Sequence, residues 1–240
     1  MGGRDLAGAV LRLRVGRVDV SGPGGIALAY VLVSALVGAA CLLFHAGSLY
    51  RVHRAIPTFS VQRYVVHYWL AIYPFLWASC SESLGTPLNL HLVRRLYPAV
   101  PARLRLFVVG IGGWLNLNGS LICVFLLAGA AARIVGYDLS LLELLLAVPI
   151  AFLIGYVTPG LPGELIPFAA PIAAALHLPE PLVAPFIAVF IGFNFGLPDA
   201  FRTGLNSTDN CLSALRLLDT LERRGSLTVD PAEAAGADGP

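Results

Sequence analysis

Lysine is absent from this 240-residue chain, and all sixteen basic residues are arginine. The arginines are scattered between apolar runs, which argues against the contiguous basic surface of a nucleic-acid binder. Charge of either sign is scarce. Charged residues make up 12% of the chain against 57% hydrophobic, and mean hydropathy is +0.78. That balance excludes a soluble globular domain and predicts an integral membrane protein, while the net charge of +2 points to no particular partner. Paired cysteines are also lacking: Cys41, Cys80, Cys123 and Cys211 stand singly, with no C-x-x-C spacing. They read as buried small hydrophobes, not as disulfides or metal ligands. His45, His53, His67, His91 and His177 show no H-E-x-x-H spacing and read as interfacial or core residues. An intramembrane enzyme would have to recruit Ser81, Ser120 and His67, but no nucleophile–base motif joins them, so the chain is read as a non-enzyme. No cleavable signal is evident, because the first apolar run starts late and lacks a small-residue cleavage pattern.

What is present is a chain of apolar runs with polar interruptions. Residues 1–24 form an Arg- and Gly-bearing segment, 25–224 a membrane domain, and 225–240 an Ala-, Gly- and acid-rich tail expected to be disordered. Within the domain, 25–50 is a full-length span. Residues 64–80 form a second apolar run, interrupted by Pro74 and ending in the polar tip 81–87. The arm that follows, 88–96, rises only about 13 Å as helix, far short of the roughly 30 Å hydrocarbon core. A run that enters, turns at a Ser/Gly/Pro tip and leaves on a short arm predicts a re-entrant hairpin. The pattern repeats. Residues 104–132 are broken by Gly110, Gly112, Gly113 and the polar insert 116–120, and then come the run 139–157, the tip 158–164 and the return arm 165–178, which would rise about 21 Å. The predicted fold class is therefore an all-α membrane protein, with transmembrane helices and two re-entrant helical hairpins in an inverted repeat, the architecture of a secondary transporter with its site near the midplane.

After the run 182–197 comes a polar patch. At 100° per residue, Asp199, Arg202, Thr203, Asn206 and Asn210 fall at about 0°, 300°, 40°, 340° and 20°, all on one helical face. An ionisable group inside a bilayer costs at least about 2.5–3.5 kcal/mol, so a stripe able to form a salt bridge there marks a functional site.

Four stretches in order carry a family resemblance: Ser81-Glu-Ser-Leu-Gly-Thr-Pro87, Asn116-Leu-Asn-Gly-Ser120, Gly160-Leu-Pro-Gly163, and Asp199-x-x-Arg-Thr-x-x-Asn206. They resemble the serine-rich first hairpin tip, the N-M-D-G-T signature, the G-V-P-G second tip and the last-helix motif of the dicarboxylate/amino acid:cation symporters, the glutamate transporter family. The resemblance runs from about residue 25 to 224, roughly the C-terminal half of a family member. It implies the moving transport domain without the five preceding helices, which include the trimerising scaffold. The chain is then a fragment or split gene product, or works with another chain: a homotrimer, or a separate chain supplying the N-terminal helices.

The resemblance implies symport of a dicarboxylate or acidic amino acid coupled to a cation. Arg202 would pair with the substrate's distal carboxylate, suited to that by its guanidinium fork. Asp199 would hold a substrate amino group or orient Arg202, and Thr203 and Asn206 would hydrogen-bond. Ser81 and Ser83 would close from one side and Gly160 and Gly163 from the other. Asn116, Asn118, Asn206 and Asn210 would be Na⁺ ligands, with no organic cofactor implied. Two positions depart from the family pattern, since Asn118 and Asn210 stand where acids are expected. Asp209 is adjacent to the second but lies about 80° off the stripe. Glu82 and Glu164, inside the tips, would repel an anionic substrate if ionised, unless protonated or facing water. Either the substrate is not a plain dicarboxylate or one acid carries a proton, so the coupling ion is Na⁺ or H⁺. A second reading is a non-transporting, coupling-deficient membrane protein that keeps the fold.

Under the family topology ten arginines (Arg51, Arg54, Arg63, Arg94, Arg95, Arg103, Arg105, Arg216, Arg223 and Arg224) are cytoplasmic and five (Arg4, Arg12, Arg14, Arg17 and Arg133) are outside. The count predicts a multi-pass protein of the inner membrane with a cytoplasmic C-terminus.

Overall fold

The computed structural model describes residues 14–15, 18–19, 22–115, 118–157 and 160–226. The expected tail beyond 226 and most of the N-terminal segment lie outside the described residues. Within that segment Arg14–Val15 (β1) pairs antiparallel with Val18–Asp19 (β2), a ribbon that the all-helical expectation did not include.

Helix α1, Pro23–Ala55, is 33 residues long, about 50 Å at 1.5 Å per residue. Pro23 sits at its first position, where a missing N–H costs nothing, and Ile56, extended before Pro57, ends it. Among the described helices it is the one that alone is long and apolar enough to cross a membrane.

A first helical hairpin follows. Its entry arm is α2, Val61–Arg63, a π-helical turn, Tyr64–Trp69, and α3, Leu70–Ser79; its return arm is α4, Glu82–Leu96. The turn is shorter than the sequence suggests. Cys80 takes a left-handed conformation and Ser81 caps α4 by accepting the Leu84 N–H, so the expected tip 81–87 is mostly helix, with Pro87 inside it. The return arm is accordingly about 22 Å long instead of 13 Å, still short of a bilayer core.

Next come α5, Ala102–Arg105, a second π-helical turn, Leu106–Ile111, α6, Gly112–Leu115, and α7, Asn118–Ile134. The second hairpin runs through α8, Leu141–Leu146, and α9, Val148–Val157, into a turn, a 3₁₀ segment, Ile166–Phe168, and α10, Ala169–Ala175. A Ser140/Glu143 capping box starts α8.

Helices α11, Glu180–Asn194, and α12, Leu197–Arg223, form a pair bent by 62° at their break. The Tyr30 hydroxyl fastens that break: it donates to the Phe195 carbonyl at 2.8 Å and accepts the Leu197 N–H at 3.0 Å. Counted as one span, the pair is a second crossing candidate.

Two apolar cores lie one above the other along α12. One joins the start of α1 to α7, α9, α10 and α11, and the other joins the end of α1 to the first hairpin and the second half of α12. Between them α12 is buried on every face from Arg202 to Leu212. The polar layer therefore sits inside protein, where its polar groups depend chiefly on other residues for hydrogen bonds.

Candidate functional site

Arg202 is the largest fully buried side chain, at 0% exposure. An arginine is almost never buried without a partner, and here three acids meet it. Asp199, one turn earlier on α12, accepts both Nε–H at 2.9 Å and Nη2–H at 2.5 Å on its Oδ1. Glu82, at the first position of α4, accepts from Nη1 at 3.2 Å, and Glu164, in the second hairpin turn, accepts from the same nitrogen. Ser120, in the first turn of α7, offers Nη1 a further acceptor at 3.3 Å. Two N–H groups thus face three acceptors.

Asn206 closes the ring from the next turn of α12. Its Nδ2 donates to Glu82 at 2.9 Å and to Ser120 at 3.1 Å, and its Oδ1 accepts the Gly119 N–H at 2.7 Å. Gly119 has to be a glycine for this fit, because a Cβ there would stand 2.6 Å from the Arg202 carbonyl oxygen.

The two hairpin tips touch each other directly. The Ser81 hydroxyl donates to the Gly160 carbonyl at 2.8 Å, and the Ser83 N–H donates to the same oxygen at 3.1 Å. Gly160 and Gly163 have φ of +67° and +70°, a region that favours glycine. This conformation aims the Gly160 N–H at Glu164 Oε2, 2.6 Å away, and the Gly163 N–H at Asp199 Oδ2, 3.0 Å away. Ser81, Ser83, Gly160, Gly163, Asp199, Arg202 and Asn206, singled out from sequence, thus come together in one closed constellation, buried except at the half-buried Ser83. Thr203 is buried beside them, and its hydroxyl has no hydrogen-bond partner among the described residues.

The residues marked for cation binding are placed differently. Asn116 lies outside the described residues. Asn118 donates to Asp209 Oδ2 at 2.9 Å, Asn206 Oδ1 takes the Gly119 N–H, and Asn210 packs against Gly112. Asp209, off the stripe by the helical wheel, is only 5% exposed, because α12 is enclosed on that side as well.

Glu82 and Glu164 were legible only as anomalies. Neither faces water, at 2% and 7% exposure, so of the expected ways out, pointing to solvent is excluded. The signal for their role was one acid in each tip of a chain so poor in charge. Ser120 was marked only as the end of the 116–120 stretch, with no partner assigned to it.

The family model described as "Sodium:dicarboxylate symporter family" matches residues 21–218 of this chain. No curated protein matches it.

Proposed function

The chain belongs to the sodium:dicarboxylate symporter family, and we propose that it binds and carries a dicarboxylate or acidic amino acid in symport with a cation. In this reading it is a multi-pass protein of the inner membrane, the two helical hairpins enter the bilayer without crossing it, and α12 ends in the cytoplasm. The observation that carries the proposal is Arg202, wholly buried where both hairpin tips and α12 meet. A guanidinium at such a place is suited to a carboxylate.

The charge balance supplies the coupling. Arg202 already faces three carboxyl groups, so an incoming substrate carboxylate reaches Nη1 only by displacing Glu82 and Glu164. Leaving a displaced carboxylate buried without a counter-charge costs several kcal/mol per ion. A cation arriving with the substrate removes that cost: either H⁺, taken up by a displaced acid, or Na⁺, held by the amide oxygens of Asn118, Asn206 and Asn210 with Asn116, since hard cations take oxygen ligands. Asp199 stays on Arg202 and orients it, while the free Thr203 hydroxyl is the remaining hydrogen-bonding group for the substrate.

The test is uptake into proteoliposomes of radiolabelled L-aspartate, L-glutamate and succinate, driven in turn by a Na⁺ gradient and a pH gradient. Saturable uptake under one gradient, lost in Arg202→Ala, is the expected result. Absence of both uptake and binding in the intact chain would overturn the proposal in favour of a coupling-deficient protein.

A further inference from the structure

A second polar cavity lies away from Arg202, toward the other end of α12. It measures about 250 Å³ and is lined by Phe44, Ser48 and Arg51 of α1, Asn118 of α7, and Asp209 and Arg216 of α12, among others. Two features set it apart from ordinary packing. At its inner wall Asp209 is 5% exposed, with Oδ2 bonded to Asn118 and the Ser48 hydroxyl beside the carboxylate, and its Oδ1 has no partner at ordinary hydrogen-bond geometry among the described residues. Toward its outer side stand two exposed arginines. The Arg51 guanidinium donates only to its own helix, to the Gly47 carbonyl at 3.3 Å and Ser48 Oγ at 3.1 Å, and lies 5.9 Å from the Phe44 ring. Among the described residues neither Arg51 nor Arg216 forms an ion pair.

The charges constrain what fits. A simple anion held by the two guanidinium groups would share the cavity with a buried carboxylate, and a simple cation on Asp209 would share it with two guanidinium groups. A ligand that carries an ammonium and an anionic group a few bonds apart meets both. At about 250 Å³ the cavity falls below the usual ~300–1,000 Å³ of drug-sized pockets, which suits a group of amino-acid or headgroup size. The position agrees. Arg51 lies one turn from the end of α1 and Arg216 two turns from the end of α12, beside Arg54, Arg223 and Arg224, at the arginine-bearing end of the bundle where a bilayer's phosphates lie.

We propose that this cavity is a binding site for a small zwitterion, with a primary ammonium on the Asp209 carboxylate and a phosphate or carboxylate on Arg51 and Arg216, the chemistry of an ethanolamine phosphate. The group comes either from a phosphatidylethanolamine headgroup or from a free zwitterion in the cytosol. The site shares Asn118 with the transport reading, which offers that side chain's amide oxygen to a cation, while Asp209, Arg51 and Arg216 have no part in that reading.

The test is native mass spectrometry of the purified chain in a non-ionic detergent with dioleoyl phosphatidylethanolamine, dioleoyl phosphatidylglycerol and soluble O-phosphoethanolamine, each added alone. Wild type is expected to prefer the ethanolamine lipid over the glycerol lipid by about tenfold, as one extra desolvated charge pair permits. Asp209→Asn removes the preference and leaves phosphatidylglycerol bound, and Arg51→Gln with Arg216→Gln weakens both lipids. Binding of soluble O-phosphoethanolamine with the same dependence on Asp209 assigns the free zwitterion as the source, and binding of the lipid alone assigns the headgroup. Equal binding of the two lipids by wild type, or a preference that survives Asp209→Asn, overturns the site. Should Asp209→Asn not fold, the exposed Arg216→Gln decides, since its unchanged affinity for the ethanolamine lipid is equally contrary.

Discussion

The two hairpin tips deliver the same chemical group to Arg202 by different backbone means. In the first, a single left-handed residue, Cys80 at φ +46°, separates two regular helices, and Ser81 caps the second of them. Glu82 is therefore fixed by helix geometry and bonds through one oxygen, the other having no partner among the described residues. In the second, the chain passes through two positive-φ glycines and a 3₁₀ segment, and Glu164 ties this turn together with both oxygens, one on the Gly160 N–H and one on Arg202 and Ser120. The first tip is held by its own secondary structure. The second is held largely by what it grips, and the prediction that follows is that it opens at lower cost than the first.

Removing what both tips grip has the largest expected effect. Arg202→Ala leaves three acids buried with no counter-ion, a loss of about 3–5 kcal/mol, read as a lowered melting temperature in detergent together with loss of carboxylate binding. Backbone changes separate the tips next. Gly160→Ala forces a side chain into a left-handed position with its Cβ 2.9 Å from the Gly113 carbonyl, costing about 1–3 kcal/mol, whereas Cys80→Gly relieves a left-handed residue and gains up to ~1 kcal/mol. Thermal unfolding of the two variants should move in opposite directions; a shared direction would erase the contrast between the tips.

Charge changes sharpen it further. Glu164→Gln should tighten carboxylate binding about tenfold, or ~1.4 kcal/mol, by calorimetric titration, because it removes one competing acid and loosens the second tip together. Glu82→Gln should tighten it less, since that residue competes through a single oxygen and its helix stays in place. The smallest effect on binding is expected of Ser81→Ala, which loses a helix cap worth about 1 kcal/mol along with one bond to Gly160, and lowers stability without changing which carboxylate is preferred.

The parts of this molecule legible in its sequence are those governed by local rules. The one-faced spacing of Asp199, Arg202 and Asn206 is a helical periodicity, and the two interruptions near 80 and 160 are turn chemistry, so both could be placed without coordinates. What stayed hidden depends on neighbours. Pro87 looks like a helix breaker, yet α4 runs through it, because Ser81 caps the helix upstream and Pro87 gives up only one backbone bond. Asp209 looks like a poor member of the site by the helical wheel, but burial on every side of α12 makes that face as interior as the stripe. Glu82 and Glu164 could be flagged as out of place, and only the meeting of the tips supplies their partner. Ser120 closes the signature-like stretch 116–120 in the sequence, but its role as one hydroxyl that accepts from Arg202 and Asn206 and donates to Glu164 is a product of assembly.

The central claim is that the Arg202 guanidinium is the group a substrate carboxylate seeks, with Glu164 and Glu82 holding that place in the closed state. It is tested most directly by titrating L-aspartate and succinate into purified wild type, Glu164→Gln and Arg202→Ala at one fixed pH and Na⁺ concentration. The account predicts measurable binding of one ligand to wild type, tighter binding to Glu164→Gln and none to Arg202→Ala. Binding that persists without the guanidinium, or that weakens when Glu164 is neutralised, would contradict it.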